Sequence, residues 1–256
     1  MQALEVKNPF NAPVYHEETV FSTFDLARSL AAGNERHGTV ITTDFQEAGR
    51  GRQNRSWAAE HGKNLMFTIL LRYGDISSIP KALTLKTGLA VSLAVEDFVP
   101  PLAGQVQVKW PNDIMLCSRK IAGILTEGDG GNVYIGVGVN VAQRVFPEEY
   151  RAKAGSLVHV CPDLDGNARF ILLEKILSRL YGEIEAGLQL GEAWRECLLK
   201  RLYKMGEVVV FADGAAGSDC LVEGVLSGIG PGGELLIVPN GEKVERAFFT
   251  GELRVY

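Results

Sequence analysis

The segment EAGRGRQNRSW, residues 47–57, places Arg50, Arg52 and Arg55 within six positions and interleaves them with Gly49 and Gly51. Planar guanidinium groups make paired hydrogen bonds to carboxylate and phosphate oxygens, and glycine admits positive φ and close approach of a ligand to the backbone. The stretch reads either as an anion site or as the solvated basic face of a loop. A second cluster lies in VKWPNDIMLCSRKIAGILTEG, residues 108–128. Pro111 forces a bend or an edge, with Asn112 and Asp113 at that bend and Lys120 just past the polar turn CSR. A hairpin here brings an amide, a carboxylate and an ammonium to one strand end, although Pro-Asn-Asp also satisfies plain turn chemistry. A third candidate is YIGVGVNV, residues 134–141, where Gly136 and Gly138 signal close approach of a ligand or of another backbone, and Asn140 stands at the strand end.

These residues need elements to hold them. STFDLARSLAAGN (22–34) reads as a helix capped by Ser22 or Thr23 and ended by Gly33-Asn34, after a loose N-terminal stretch. GTVITTDF (38–45) and NLMFTILLR (64–72) read as strands, which leaves residues 46–63 as a long loop. A buried helix is expected from Pro80 to Val99, stopped by Pro100-Pro101. VQVKW, NDIML, KIAGILTEG and NVYIGVGVN then form a meander that builds a mixed or antiparallel sheet. Two amphipathic helices follow, at 167–188 and 191–206. Beyond Gly206, short strands cut by Gly and Asn turns have the texture of a small β-barrel. The expected organisation is therefore α+β, with domains 1–205 and 206–256.

Bulk properties exclude several classes. The formal net charge is −5, which argues against a general nucleic-acid binder while leaving room for one local anion site. No apolar run approaches the roughly 18 residues of a membrane span, and the N-terminus lacks a secretory core. Cys117, Cys161, Cys197 and Cys220 form no CxxC pair and the four histidines no metal pattern, so free thiols in a reducing cytoplasm are expected. No P-loop occurs. A GxGxxG at Gly228, Gly230 and Gly233 lies between strands with no helix after it, and is a hairpin turn rather than a dinucleotide site.

Taken in this order and spacing, ST at 22–23, QEAGRGRQNRSW at 46–57, GKNL at 62–65, VKWPND at 108–113, RKIAGIL at 119–125 and GVGVNV at 136–141 resemble the biotin–protein ligases. The resemblance runs from about residue 20 to the C-terminus. It implies a class II synthetase-like catalytic sheet with a C-terminal SH3-like barrel, ATP and biotin as substrates, and Mg²⁺. It implies formation of biotinyl-5′-AMP and transfer of biotin to a lysine of a biotin carboxyl carrier domain. By position, Gly49, Arg50, Gly51 and Arg52 belong to a loop that closes over biotin and the adenylate. Ser22, Thr23 and Gln46 match contacts to the ureido ring, and Lys120 and Gly123 border the same pocket. Arg52, Arg55, Trp57, Asn112, Asp113, Lys120 and Asn140 match the nucleotide side, with Asp113 also on the metal side. Catalysis falls to Lys120, Arg52, Arg50 and Asp113.

Two positions depart from the family pattern: Phe24 follows Ser22-Thr23 where asparagine is usual, and Asn54 stands where glycine is common. About fifteen residues precede the catalytic region, too few for the N-terminal winged helix of about sixty residues that some relatives use to bind an operator, so ligase activity without DNA binding is expected. An exposed sheet edge could pair two subunits. The nearest rival is a lipoate–protein ligase or octanoyl transferase, against which RKIAGIL and the C-terminal β region argue. A non-catalytic effector-binding regulator is a further rival, as is a nucleic-acid module using the basic loop.

Overall fold

Strand alternation decides which face of the main sheet is core and which is site. In NVYIGVGV, Val133, Ile135, Val137 and Val139 join the main core cluster, whereas Tyr134, Gly136 and Gly138 face the other way. LMFTILLR obeys the same rule, sending Leu65, Phe67, Ile69 and Leu71 to the core and Met66, Thr68 and Leu70 to the opposite face.

The computed structural model describes residues 1–186, 193–214 and 220–254. An eight-stranded mixed sheet is built from β1 (Gln2–Ala3), β2 (Val14–Val20), β3 (Thr39–Gln46), β4 (Leu65–Arg72), β5 (Gln107–Lys109), β6 (Asp113–Leu116), β7 (Arg119–Asp129) and β8 (Asn132–Val139), in the order β1-β2-β3-β4-β8-β7-β6-β5. Helix α1 (Thr23–Ala32) crosses from β2 to β3, which run parallel. It covers one face with Phe24, Ala27 and Ala31. The Ser22 hydroxyl accepts from the Phe24 amide and caps α1, an arrangement that contributes about 1 kcal/mol. Helix α2 (Leu83–Phe98), apolar almost all round, lies on the other face against α4 (Ala168–Tyr181). Helices α3 (Glu148–Arg151) and α5 (Ala193–Leu199) are short. No described helix is long and apolar enough to cross a membrane.

A five-stranded antiparallel sheet follows, from β9 (Val208–Asp213), β10 (Leu221–Ile229), β11 (Leu235–Pro239), β12 (Arg246–Phe248) and β13 (Gly251–Arg254), in the order β12-β11-β10-β9-β13. Gly230–Gly233 is the β10–β11 turn, closed by the Gly230 amide on Glu234 O at 2.8 Å. Phe211, Leu226, Ile237 and Leu253 of this sheet belong to the same continuous core as the large one.

Three expectations need correction. The N-terminal stretch is not loose, because β2 pairs with β3 over most of its length and β1 pairs with β2. The second amphipathic helix stops at Leu199, since the Tyr203 amide bonds Val108 O and Val108 bonds Arg201 O, drawing residues 201–203 alongside β5. The last strand-like run divides into β12 and β13. Residues 187–188, 191–192, 219 and 255–256 of the expected elements lie outside the described residues.

Candidate functional site

A cavity of about 460 Å³ opens on the α1 side of the large sheet. Its floor is the bare patch of β7 and β8, where Gly123 and Gly138 stand directly opposite each other and Gly136 follows on the same face. The floor is bare because two rings lie on it. A Cβ at Gly136 would come within 2.2 Å of the Phe24 ring, and one at Gly138 within 2.5 Å of the Trp57 indole.

Trp57 arrives from the arginine segment, which is no open loop. Gly51 N–Arg55 O at 2.7 Å, Trp57 N–Gly49 O at 2.9 Å and the Arg50–Ser56 bridge fold residues 49–57 into a small hairpin. Its tip is the tight turn Arg52–Asn54, with Gln53 in the left-handed region at φ 58°. Neither Gly49 nor Gly51 adopts positive φ, contrary to expectation. What both provide is room: a Cβ at 49 would sit 2.8 Å from Trp57 O and one at 51 would sit 3.2 Å from Arg55 O.

Lys120 reaches the cavity through an irregularity. Simple alternation along β7 would align Lys120 with Ala122 and Ile124, which face the core. The β6–β7 register shifts between Ile114/Ala122 and Met115/Lys120, and Ile121 and Ala122 are both buried in the core. This bulge turns Lys120 onto the face of Gly123, and Lys120 Nζ lies 3.1 Å from where a Cβ on Gly123 would be. The ammonium pairs with Asp113 at 2.6 Å and lies 5.8 Å from the Trp57 ring centroid. Asn112 ties the Trp110–Asn112 bend to β7, its Nδ2 donating to Ile124 O at 2.8 Å, and its Oδ1 accepts from Arg52 Nη1 at 3.1 Å.

At the opposite, apolar end, Gln46 Oε1 accepts from the Thr23 amide and hydroxyl at 2.9 and 3.0 Å, and Thr68 donates to the Thr23 hydroxyl. Phe24 walls this end, with the Arg50 guanidinium 5.5 Å from its ring centroid and paired to Asp25 at 2.5 Å. Of the predicted positions, Thr23, Gln46, Arg50, Gly51, Arg52, Arg55, Trp57, Asn112, Asp113, Lys120, Gly123 and Asn140 line this one cavity. Ser22 and Gly49 do not. The Ser22 hydroxyl is buried as the cap of α1, and Gly49 is buried at the base of the hairpin, where its carbonyl accepts from the Trp57 amide. Asn140 is buried, its Nδ2 bonding Gly155 O at 2.9 Å. Asn140 Oδ1 and Trp57 Nε1 are buried without a hydrogen-bond partner, leaving polar capacity on two wall residues.

Lys109 and Glu252 are among the wall residues that the motifs led past. Lys109, inside VKWPND, is buried at 5% exposure, and desolvation lowers its pKa while Asp113 opposes the shift. Glu252 reaches the cavity from β13, and no local signal in TGELR marks it. Arg50, Arg52, Arg55, Lys109, Lys120, Lys153 and Arg254 line the cavity against three lining carboxylates, Asp113, Glu149 and Glu252, so an acidic chain concentrates positive charge here. Burial lowers the Arg52 pKa, with Asp113 and Glu252 opposing. No group of three or more acidic, histidine or cysteine ligands occurs among the described residues, and the Asp113 carboxylate is turned to Lys120.

The small sheet reaches the hairpin through Arg55, whose two Nη atoms bond both Glu252 oxygens at 3.1 and 2.7 Å. Trp110 Nε1 adds a bond to Gly233 O at 2.9 Å. The Arg55 hydrogen bonds hold the Glu252 pKa below its usual value. A lowered carboxylate pKa gives stability above the unfolded pKa that is lost as pH falls through the folded one. Glu252→Gln is therefore expected to speed hydrogen exchange of residues 49–57 roughly two- to fivefold at neutral pH, the effect of an exposed pair of about 0.5–1 kcal/mol. The variant and the parent should converge once Glu252 protonates, and equal exchange at neutral pH would show that the pair latches nothing.

Comparison with known proteins agrees with this geometry. Residues 21–140 match the biotin/lipoate A/B protein ligase family. The chain is 30% identical over 247 residues to the biotin–[acetyl-CoA-carboxylase] ligase of Paracoccus denitrificans, covering 90% of this chain and 98% of that protein. It is 37% identical over 152 residues to the bifunctional ligase/repressor BirA of Bacillus subtilis, 56% of this chain and 45% of that one, so it spans about half the length of the Bacillus relatives. The biotin protein ligase from Aquifex aeolicus in complex with biotin and ATP superposes with TM-score 0.76 at 27% identity, covering 94% of this chain and 97% of that one. With a relative matched along nearly its whole length and the family motifs gathered in one cavity, the chain belongs to the biotin/lipoate A/B protein ligase family.

Proposed function

We propose that this chain activates biotin with ATP to biotinyl-5′-AMP, releasing pyrophosphate, and passes the biotinyl group to a lysine of a biotin carboxyl carrier domain. The observation that carries this reading is the two-ended cavity: an apolar, amide-bearing pocket continuous with an excess of cations. Phe24, Trp57 and the glycine floor suit a fused ring with an aliphatic chain, and the Thr23–Gln46 pair supplies hydrogen bonds for a ureido group. The name of the Paracoccus relative supports a carboxylase as the source of the acceptor.

In the first step the biotin carboxylate attacks the α-phosphorus of ATP, an anion approaching an anion. Lys120, Arg50 and Arg52 neutralise that approach and the charge that builds on the phosphoryl oxygens. Asp113 orients Lys120. Arg55 serves the phosphates once they displace Glu252. Asn112, Asn140 and Trp57 complete the nucleotide side. No cluster of three or more acidic, histidine or cysteine ligands lies among the described residues, and on this reading magnesium comes with the nucleotide as part of the substrate. In the second step the deprotonated acceptor amine attacks the biotinyl carbonyl and AMP leaves with the bonding electrons. Trp57 and the hairpin keep water from the mixed anhydride. The same reading takes residues 1–205 as the catalytic unit, residues 206–256 as the small β domain that closes its phosphate side, and the cytoplasm as the compartment.

The test is ATP–pyrophosphate exchange with Mg²⁺, run separately with biotin, lipoate and octanoate. Exchange with biotin alone is the expected result. Exchange with lipoate or octanoate would move the chain to the sister activity, and silence with all three would make it a binder without turnover.

A further inference from the structure

A second groove, of about 550 Å³, lies beside the catalytic cavity and shares one wall with it, Phe146. Its rim carries Arg119, Arg144, Arg151 and His159, and no carboxylate lines it. Such a cluster is anomalous on a chain of net charge −5. Arg119 and Arg151 are exposed, and their guanidinium groups have no ionic or hydrogen-bonding partner among the described residues. Between the arginines, Val145 and Val160 are 71% and 38% exposed. The tip of the β6–β7 hairpin closes one end, where Cys117 and Ser118 both adopt positive φ, at 49° and 58°.

We infer that this groove docks the acceptor carrier domain through an acidic face of that domain, an inference that rests on the ligase reading above. Three observations point to a protein rather than a small anion. The centre is apolar and the rim is arginine, which is how protein interfaces are built. Arg144 does not converge on a point, because its Nη2 is committed to Pro162 O at 2.7 Å. The groove is also coupled to the reacting centre by chain neighbours: Arg119 precedes Lys120, and Arg151 lies two residues before Lys153, both of which line the catalytic cavity.

The chemistry of the second step asks for such a surface. An acceptor lysine alone offers little contact area, so affinity for the carrier has to come from groups remote from the reacting amine. An acidic domain would be repelled by most of this chain and attracted at this patch, which steers it and sets its orientation.

The experiment uses the full chain and a purified biotin carboxyl carrier domain of acetyl-CoA carboxylase. Arg119→Glu/Arg151→Glu is expected to raise the KM for the carrier about tenfold or more while biotin-dependent ATP–pyrophosphate exchange stays within about twofold of the parent. Exchange doubles as the folding control. Val145→Asp, which removes the apolar centre, should raise the same KM. Raising salt from about 50 to about 300 mM should weaken carrier use by the parent and change the double variant little. A carrier KM within about twofold of the parent in both variants, or no salt dependence in the parent, overturns the docking surface. Loss of biotin-dependent exchange in the parent itself would sink the ligase reading first, and so separates the two failures.

Discussion

Lys120→Ala is expected to slow biotin-dependent ATP–pyrophosphate exchange by on the order of 100-fold, with a much smaller change in biotin affinity. The argument starts from how specifically this ammonium is delivered. A bulge moves it off the core face, its backbone is pinned by Lys120 N–Lys153 O and Gly155 N–Lys120 O at 2.8 Å each, and Asp113 aims its head. Neighbouring cations are less free to take over. Arg50 is held by Asp25 and Arg52 by Asn112, each on a planar fork whose reach is set by that contact. The alanine variant loses a charge and also leaves Asp113 without its ion-pair partner beside the phosphates, which adds repulsion to the loss. Removing Asp113 as well should therefore recover part of the rate in Lys120→Ala/Asp113→Ala, a non-additivity that a merely structural lysine would not produce. Exchange within about threefold of the parent in the single variant would remove Lys120 from the chemistry.

Much of the positioning frame was open to sequence reasoning because it rests on period and turn chemistry. Ser22 ahead of an alanine-rich run, and Gly33-Asn34 after it, bound α1 to within a residue of where it lies. The alternation of valine with glycine in GVGV is the pattern of a strand with one face in the core and the other left bare. The face that Lys120 takes was not legible, since alternation sends it to the core and only the pairing of β6 with β7 creates the bulge. Gly49 and Gly51 carried a correct signal with the wrong cause: the need is space for the hairpin's own backbone, and the positive φ falls on Gln53. Strand β2 was missed because VYHEETV is half exposed and its parallel partner lies beyond a helix. Glu252 was missed for a related reason, as its partner Arg55 is 197 residues away and no local pattern links β13 to the hairpin. Helix periodicity at 191–206 lost to tertiary pairing, where residues 201–203 satisfy the edge of β5.

Gly138→Val is expected to weaken biotin binding at least about 30-fold and to abolish both half-reactions at ordinary biotin concentrations, while leaving the fold intact. Valine suits a strand interior, and β8 lies in mid-sheet between β4 and β7, so the backbone itself tolerates the change. The conflict is with the hairpin. The added Cβ alone would sit 2.5 Å from the indole of Trp57, and the γ-methyls reach further, so the ring cannot stay on the Gly123–Gly138 patch. Trp57 is the inner end of a unit held by a few backbone bonds and by side-chain contacts of Arg50 to Asp25, Arg52 to Asn112 and Arg55 to Glu252, whereas β8 is paired along its whole length on both sides. The sheet therefore holds and the hairpin lifts. Arg50, Arg52 and Arg55 lift with it, which withdraws cations from the phosphates at the same time as the apolar lid from the ring. Two readouts separate this from general destabilisation: the Trp57 contribution to fluorescence should shift to the red, and the thermal midpoint should move by only a few degrees. Gly136→Val presses on Phe24 at 2.2 Å, in the small core under α1, and should instead lower the midpoint strongly. If Gly138→Val binds biotin like the parent with unshifted fluorescence, the indole forms no part of the biotin pocket, and the hairpin acts on the phosphates alone.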